Sequence, residues 1–355
     1  MRLSYPFLYP FSLLYDGVTR LRNRMFDLGL KKSCEFEVPT IVVGNISWGG
    51  TGKTPMVEFL IKKLKENHHL AMLSRGYGRK TSGFLLADEG LSPGDIGDEP
   101  FQVFAKYGNE VTVAVGEQRI LAIPQILADR PATDLIVLDD AFQHRYVKGN
   151  LNILLTTYQN PFFSDKIIPL GTLREHPKAA SRADVIVVTK CPDRLDQPTK
   201  NKYREEIGKF SGDAIPVLFA GLTYGAPYRV FGDQGGITHK VILVSGIANN
   251  HLLKKEVAGK YELLTTLEYP DHYRYREKDM IRLVEVFQKY KNQNPCVITT
   301  EKDAVKFKEE KILKHIKEIP IFALPVEISL DSSDEDLLLS LADQAIHSKN
   351  YSSET

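Results

Sequence analysis

Apolar residues recur at helical spacing near the start of the chain. Phe11, Leu14, Tyr15, Val18, Leu21 and Met25 fall at i, i+3, i+4 and i+7 intervals, which predicts one apolar helix face flanked by Arg20, Arg22 and Arg24. From Val38 the pattern changes. The β-branched run Pro39–Val43 predicts a buried parallel strand. A Gly-rich loop, Gly44 to Thr54, follows, and then a helical stripe of Val57, Leu60, Ile61 and Leu64, with Pro55 in its first turn. Further strands are predicted at Ala71–Ser74, Val111–Val115, Leu135–Leu138, Ile153–Leu155 and Val185–Val188, with helix-like stretches such as Gln118–Ala128 between them. Such alternation implies a mostly parallel sheet covered by helices on both faces. The Gly-, Tyr- and Pro-rich segment Ala220–Gly236 reads as an interdomain connection with room for short strands. A second, smaller α/β unit is expected beyond it, with strands at Val241–Val244, Val297–Thr300 and Ile321–Leu324, a closing helix at Asp336–Ile346 and a frayed tail.

Composition narrows the class. The 355 residues suggest about two domains. With 43% hydrophobic and 26% charged residues, the chain carries enough apolar material for a large core. No run of about 18 uncharged apolar residues is present, which excludes a polytopic membrane protein. Lys+Arg 46 against Asp+Glu 45 leaves a net charge of +1, so a nucleic-acid partner is not expected. Cys34, Cys191 and Cys296 are far apart and form no C-x-x-C, as expected of reduced thiols in a cytosolic protein. For the first segment, Pro6, Pro10 and the lack of a small-residue cleavage site argue against a signal peptide. A core-packing helix and a helix lying in a membrane interface both remain open on the residues alone.

The strongest chemical signal is Gly49-Gly50-Thr51-Gly52-Lys53-Thr54 between a strand and a helix, the setting of a P-loop. Its backbone N–H groups and the helix N-terminus suit phosphate oxygens. Lys53 is expected to reach the β- and γ-phosphates of ATP, and the Thr54 hydroxyl to bind Mg²⁺. Ser47 stands where the first glycine of the usual pattern would be. The strand Leu135–Leu138 runs into Asp139 and Asp140, a carboxylate ending suited to Mg²⁺ and its water shell. If the chain turns there, both carboxylates face the site. Weaker signals are Arg75–Arg79 (RGYGR), Gly97-Asp98-Glu99-Pro100, Pro169–Glu175 with Arg174, Tyr269–Tyr273 with His272, and Thr299–Asp303. Thr189-Lys190-Cys191-Pro192-Asp193 departs from the N-K-x-D guanine motif at two places and is weak evidence for guanine.

Together GNISWGGTGKTP, LSRGYGR, GDEP, LDDAFQH, LGTLRE, SGIANN, PDHY and TEKDAVK resemble, in their order, the tetraacyldisaccharide 4′-kinase (lipid A 4′-kinase) family. The resemblance covers nearly the whole chain. It implies an α/β fold with a P-loop NTPase core, an N-terminal amphipathic helix over 1–33, a nucleotide-binding kinase domain over 34–222 and a smaller α/β domain over 223–355. It implies transfer of the γ-phosphate of ATP to the 4′-hydroxyl of a tetraacylated glucosamine disaccharide 1-phosphate, with ATP and Mg²⁺ as cofactors. Asp98 matches the family's catalytic base and His272 its paired histidine. Asp139 and Asp140 match its Walker B carboxylates, with Asp139 as the expected metal ligand, and Arg174 matches an active-site arginine. Nucleotide binding falls to Ser47, Gly49, Gly50, Thr51, Gly52, Lys53 and Thr54. The expected setting is peripheral, at the cytoplasmic face of the bacterial inner membrane, where the glycolipid's acyl chains lie. That shifts the reading of the first helix toward the membrane interface. The competing reading is a partitioning-type switch ATPase, but the signature lysine before the two glycines is replaced by Trp48 and the amphipathic helix is N-terminal.

Overall fold

The computed structural model describes residues 6–232, 236–247, 250–271 and 273–349. A 3₁₀ turn, Pro6–Leu8, leads into helix α1, Tyr9–Asp27. Its predicted apolar stripe does not enter a core: Phe11, Leu14, Val18 and Leu21 are each at least 60% exposed. The opposite side docks. Phe26 is buried edge-on against Tyr146, and the Ser12 hydroxyl donates to Ile167 O at 3.0 Å. Two of the flanking arginines are engaged by the protein itself. Arg22 turns inward and donates to Gln143 O at 3.0 Å, and Arg20 pairs with Asp16 at 2.6 Å.

The main sheet has nine strands in the order β14-β8-β7-β6-β1-β5-β2-β4-β3. They are β1 Thr40–Asn45, β2 Leu70–Ser74, β3 Leu85–Leu86, β4 Thr112–Val115, β5 Leu135–Asp139, β6 Leu151–Thr157, β7 Val185–Thr189, β8 Val217–Tyr224 and β14 Val326–Leu330. The seven inner strands run parallel, and only the edges β3 and β14 are antiparallel. Every residue of β1 and β5 is buried, as a parallel sheet covered on both faces requires. Side chains alternate between two cores. Ile41, Val43 and Val137 pack with α2 (Lys53–Leu64), while Val42, Ile136 and Leu138 pack with α5 (Arg119–Asp129) and α6 (Gln197–Ser211). The short α3 (Pro93–Ile96) and α4 (Asp98–Tyr107) follow β3 in the chain, and α4 places Val103 in the core beside α2.

The smaller sheet has the order β11-β10-β12-β13-β9. Its strands are β9 Tyr228–Phe231, β10 Lys240–Ser245, β11 Glu262–Glu268, β12 Cys296–Thr300 and β13 Ile321–Leu324, all parallel except β9. Helices α7 (His251–Lys260), α8 (Glu277–Tyr290), α9 (Glu301–Ala304) and α10 (Glu310–Ile316) complete this unit.

The chain does not end in the second unit, as a single boundary at residue 223 implied. β14 pairs with β8, and α11 (Ser332–His347) places Leu338 and Ala342 in the core shared by Ile41 and α2. The expected closing helix therefore closes the first sheet. Periodicity marked its apolar face but not the sheet that face covers. The connecting segment does carry strands: β8 runs through Ala220 to Tyr224, and β9 follows at Tyr228–Phe231. The tail beyond Lys349 lies outside the described residues.

Candidate active site

The loop between β1 and α2 holds the residues expected to bind phosphate. Gly49 and Gly52 sit at φ +119 and +84, conformations that side chains resist, and Gly52 starts the helix directly. The loop is pinned from three directions. Asn45 Nδ2 donates to Thr51 Oγ1 at 2.7 Å, and the Thr189 hydroxyl at the end of β7 donates to Thr51 O at 2.8 Å. The third tie is the segment around Leu173: Trp48 N–H donates to Thr172 O at 2.6 Å and Arg174 N–H to Ile46 O at 2.7 Å. This strip pairs Ser47 with Leu173, and the Ser47 side chain is buried. It also brings Arg174 to the loop, a juxtaposition of residues far apart in sequence.

Asp140 has φ +46, so the chain turns at the end of β5 and both carboxylates face the same region. Asp140 accepts from Arg174 Nη2 at 3.0 Å and lies 3.7 Å from Lys53 Nζ. Burial alone would raise its pKa, but Lys53 and Arg174 outweigh that and hold it below the usual carboxylate range. Asp139 is the opposite case. Burial first, then the charge of Asp140, push its pKa up to about 6. Its Oδ2 accepts from the Ser74 hydroxyl at 3.0 Å, while Oδ1 is buried with no hydrogen-bond partner among the described residues. Such an oxygen fits a cation. With the Thr54 hydroxyl at the start of α2, Asp139 could hold Mg²⁺, whose remaining ligands are ordinarily water and phosphate. Among the described residues there is no cluster of three acidic, His or Cys ligands. Arg119, 2% exposed, supports this ending by donating to Asp139 O at 3.2 Å. Nothing in the sequence singles it out, because it opens an ordinary apolar helix.

The second unit meets the first at the start of α4. Gly97 (φ +96) precedes Asp98, and a Cβ there would lie 3.0 Å from Tyr77 O, so the RGYG and GDEP turns nest closely. Asp98 is the first residue of α4, 3.5 Å from Lys306 Nζ. Lys306 also lies 3.4 Å from the fully buried Asp303, which accepts from Gly246 N–H at 2.8 Å. Lys302 Nζ stands between Glu99 at 3.4 Å and Asp271 at 3.3 Å. Arg274 donates to Gly78 O at 3.1 Å. Arg274 thus reaches the RGYG turn directly, and Asp271 is joined to Glu99 of the GDEP turn through the shared Lys302, while His272 itself lies outside the described residues. In the sequence Lys302 and Lys306 stand out only as members of the TEKDAVK motif, with no role of their own. Their i, i+4 spacing after a strand was the available signal.

A model of the family described as tetraacyldisaccharide-1-P 4′-kinase (LpxK) matches residues 4–344. A tetraacyldisaccharide 4′-kinase of Bacteroides thetaiotaomicron is 37% identical over 344 residues, covering 93% of this chain and 90% of that protein. One from Parabacteroides distasonis is 39% identical over 331 residues, covering 90% and 89%. Among solved structures, LpxK from Aquifex aeolicus in complex with ATP aligns with a TM-score of 0.73 at 27% identity, over 96% of this chain and 98% of that one. A match of this length takes in the loop, the carboxylate ending and the turns of both units alike, and this chain belongs to the tetraacyldisaccharide 4′-kinase family.

Proposed function

We propose that this chain transfers the γ-phosphoryl group of ATP to the 4′-hydroxyl of a tetraacylated glucosamine disaccharide 1-phosphate. The observation that carries the reading is the meeting of two half-sites: a P-loop with its carboxylate ending, and an acid–base turn held by lysines of the second unit. Residues 49–54 bind the nucleotide phosphates through backbone N–H groups and Lys53. Bound Mg²⁺ would neutralise charge on the β- and γ-oxygens, with Asp139 and Thr54 as its protein ligands. Asp140 fixes Lys53 and Arg174 in place, and Arg174 is positioned for the charge that develops on the transferred group. Asp98 accepts the proton of the 4′-hydroxyl as its oxygen attacks the γ-phosphorus; the bond to the β-phosphate breaks and ADP leaves. His272 supports Asp98. The ion pairs of Glu99 and Asp271 with Lys302, one residue away from each, support that pairing.

The exposed stripe of α1 supports docking on a membrane surface, with the acyl chains left in the bilayer. No helix among the described residues is long and apolar enough to cross a membrane. The proposed setting is peripheral, at the cytoplasmic face of the bacterial inner membrane. A phosphate-transfer assay with labelled ATP and the disaccharide 1-phosphate tests the function: label appearing in the lipid supports it, while slow ATP hydrolysis with no lipid product overturns it.

A further inference from the structure

Lys190 has no part in the chemistry above, yet its placement is unusual. It directly follows β7 with φ +58, a left-handed conformation that lysine seldom adopts. The turn is held on both sides, by Tyr158 N–H to Thr189 O at 2.9 Å and Cys191 N–H to Ala220 O at 3.0 Å. The preceding Thr189 is the residue that anchors Thr51 of the loop. The side chain thus starts from a fixed point beside the loop, and it leads to Gly50. A Cβ built on Gly50 would lie 3.8 Å from Lys190 Nζ, and no other non-neighbouring atom would come within 4 Å of it. The Lys190 side chain makes no hydrogen bond or ion pair among the described residues; burial disfavours its charged form and holds its pKa below the usual lysine range, and the Asp271 charge opposes this only in part.

We propose that Lys190 is a second phosphate-binding lysine, donating to the polyphosphate of ATP over Gly50 from the β7 side of the loop. Sheet order sets the two lysines on different sides. Lys53 leans toward Asp140 after β5, next to β1 on one side, whereas β7 lies two strands from β1 on the other. Charge makes the second cation useful. Lys53 and Arg174 both pair with Asp140, and with Asp139 these four groups sum to zero when ionised. Among the described residues, no carboxylate lies within ion-pair distance of Lys190, so it offers a positive charge that is not already paired. Strain at a position held from both sides is the usual mark of a residue kept for function.

The inference rests on the P-loop reading, and the test separates the two. Trp48, the chain's single tryptophan, is exposed in the loop and reports ATP binding by its fluorescence. Lys190→Gly keeps the left-handed turn, so the nucleotide-free melting temperature should be unchanged or higher. ATP should bind about tenfold to a hundredfold more weakly, the worth of one charge-assisted contact. Lys190→Arg should restore most of the affinity, and adenosine should bind as it does to the unaltered protein. Unchanged ATP affinity in Lys190→Gly, alongside a clear loss in Lys53→Ala, overturns the role of Lys190 alone. No loss in either variant overturns the loop reading as well. An equal loss for adenosine places Lys190 on the base and also overturns the phosphate contact.

Discussion

At the scale of single residues, the site is built from groups whose ionisation is set by their neighbours. Asp98→Ala should lower kcat by about 10²–10⁴, the typical loss of a general base, with ATP affinity little changed. If Asp98 and His272 act as a unit, the double variant should be little worse than the worse single one, and multiplicative losses in a transfer assay would separate their roles. Asp98 does not cap α4, since the N-cap is Gly97 and no side chain caps it. A loss of chemistry is therefore expected rather than a loss of helix stability. His144 gives a pH prediction. Burial, then the charges of Arg119, Arg22 and Arg75, depress its pKa to about 4. The folded state therefore resists protonation that the unfolded chain accepts near pH 6.5. Its contribution is fully present above about pH 6.5 and is lost as pH falls toward 4. The size is on the order of 2 kcal/mol once solvent screening is allowed for. His144→Gln should flatten the acid limb of a urea-denaturation stability profile over that window, and an unchanged profile would show that other groups set it.

At the scale of elements, α1 shows how one helix serves two surroundings. Phe26 and Ser12 tie it to the protein, while Leu14, Val18 and Leu21 project outward. Replacing those three by serine should abolish co-sedimentation with anionic vesicles and leave the melting temperature nearly unchanged, because no core contact is removed. Each such side chain is worth about 1.5–3 kcal/mol when fully buried. The arginines divide. Arg24→Gln should weaken vesicle binding by about 1 kcal/mol in a salt-sensitive way. Arg22→Glu should instead destabilise the fold, since Arg22 lies 3.8 Å from the buried Glu175 and donates to Gln143 O. Retained vesicle binding by the triple serine variant would return α1 to a structural role.

At the scale of the whole molecule, the two units are joined by charge as well as by chain. Lys106 of α4 lies 2.9 Å from Glu301 of the second unit and also pairs with Glu58 of the P-loop helix α2. The C-terminal return is the other tie. Deleting residues 332–349 removes Leu338 and Ala342 from the core against Ile41. Losing those buried side chains should cost about 2–5 kcal/mol for each large one, enough to unfold the nucleotide-binding half. Circular dichroism melting reads this directly; a truncated chain that melts like the full one would make α11 an accessory.

The residues by themselves determined the local features. The strand–loop–helix around Lys53 is written in a β-branched run, glycines and an amphipathic stripe, each a short-range pattern. Likewise the apolar run before Asp139 marks a buried strand ending in carboxylates. Tertiary structure decided what depends on distant parts of the chain. Arg174 reaches Asp140 only because the strip at Leu173 pairs with Ser47. Arg119 matters only because its helix lies under the end of β5. Lys306 meets Asp98 only because the second sheet docks on the first. Periodicity placed an apolar face on α11 but carried no information on which sheet would bury it. Side-chain pattern encodes burial along an element, whereas partner and site are set by how the elements close on one another.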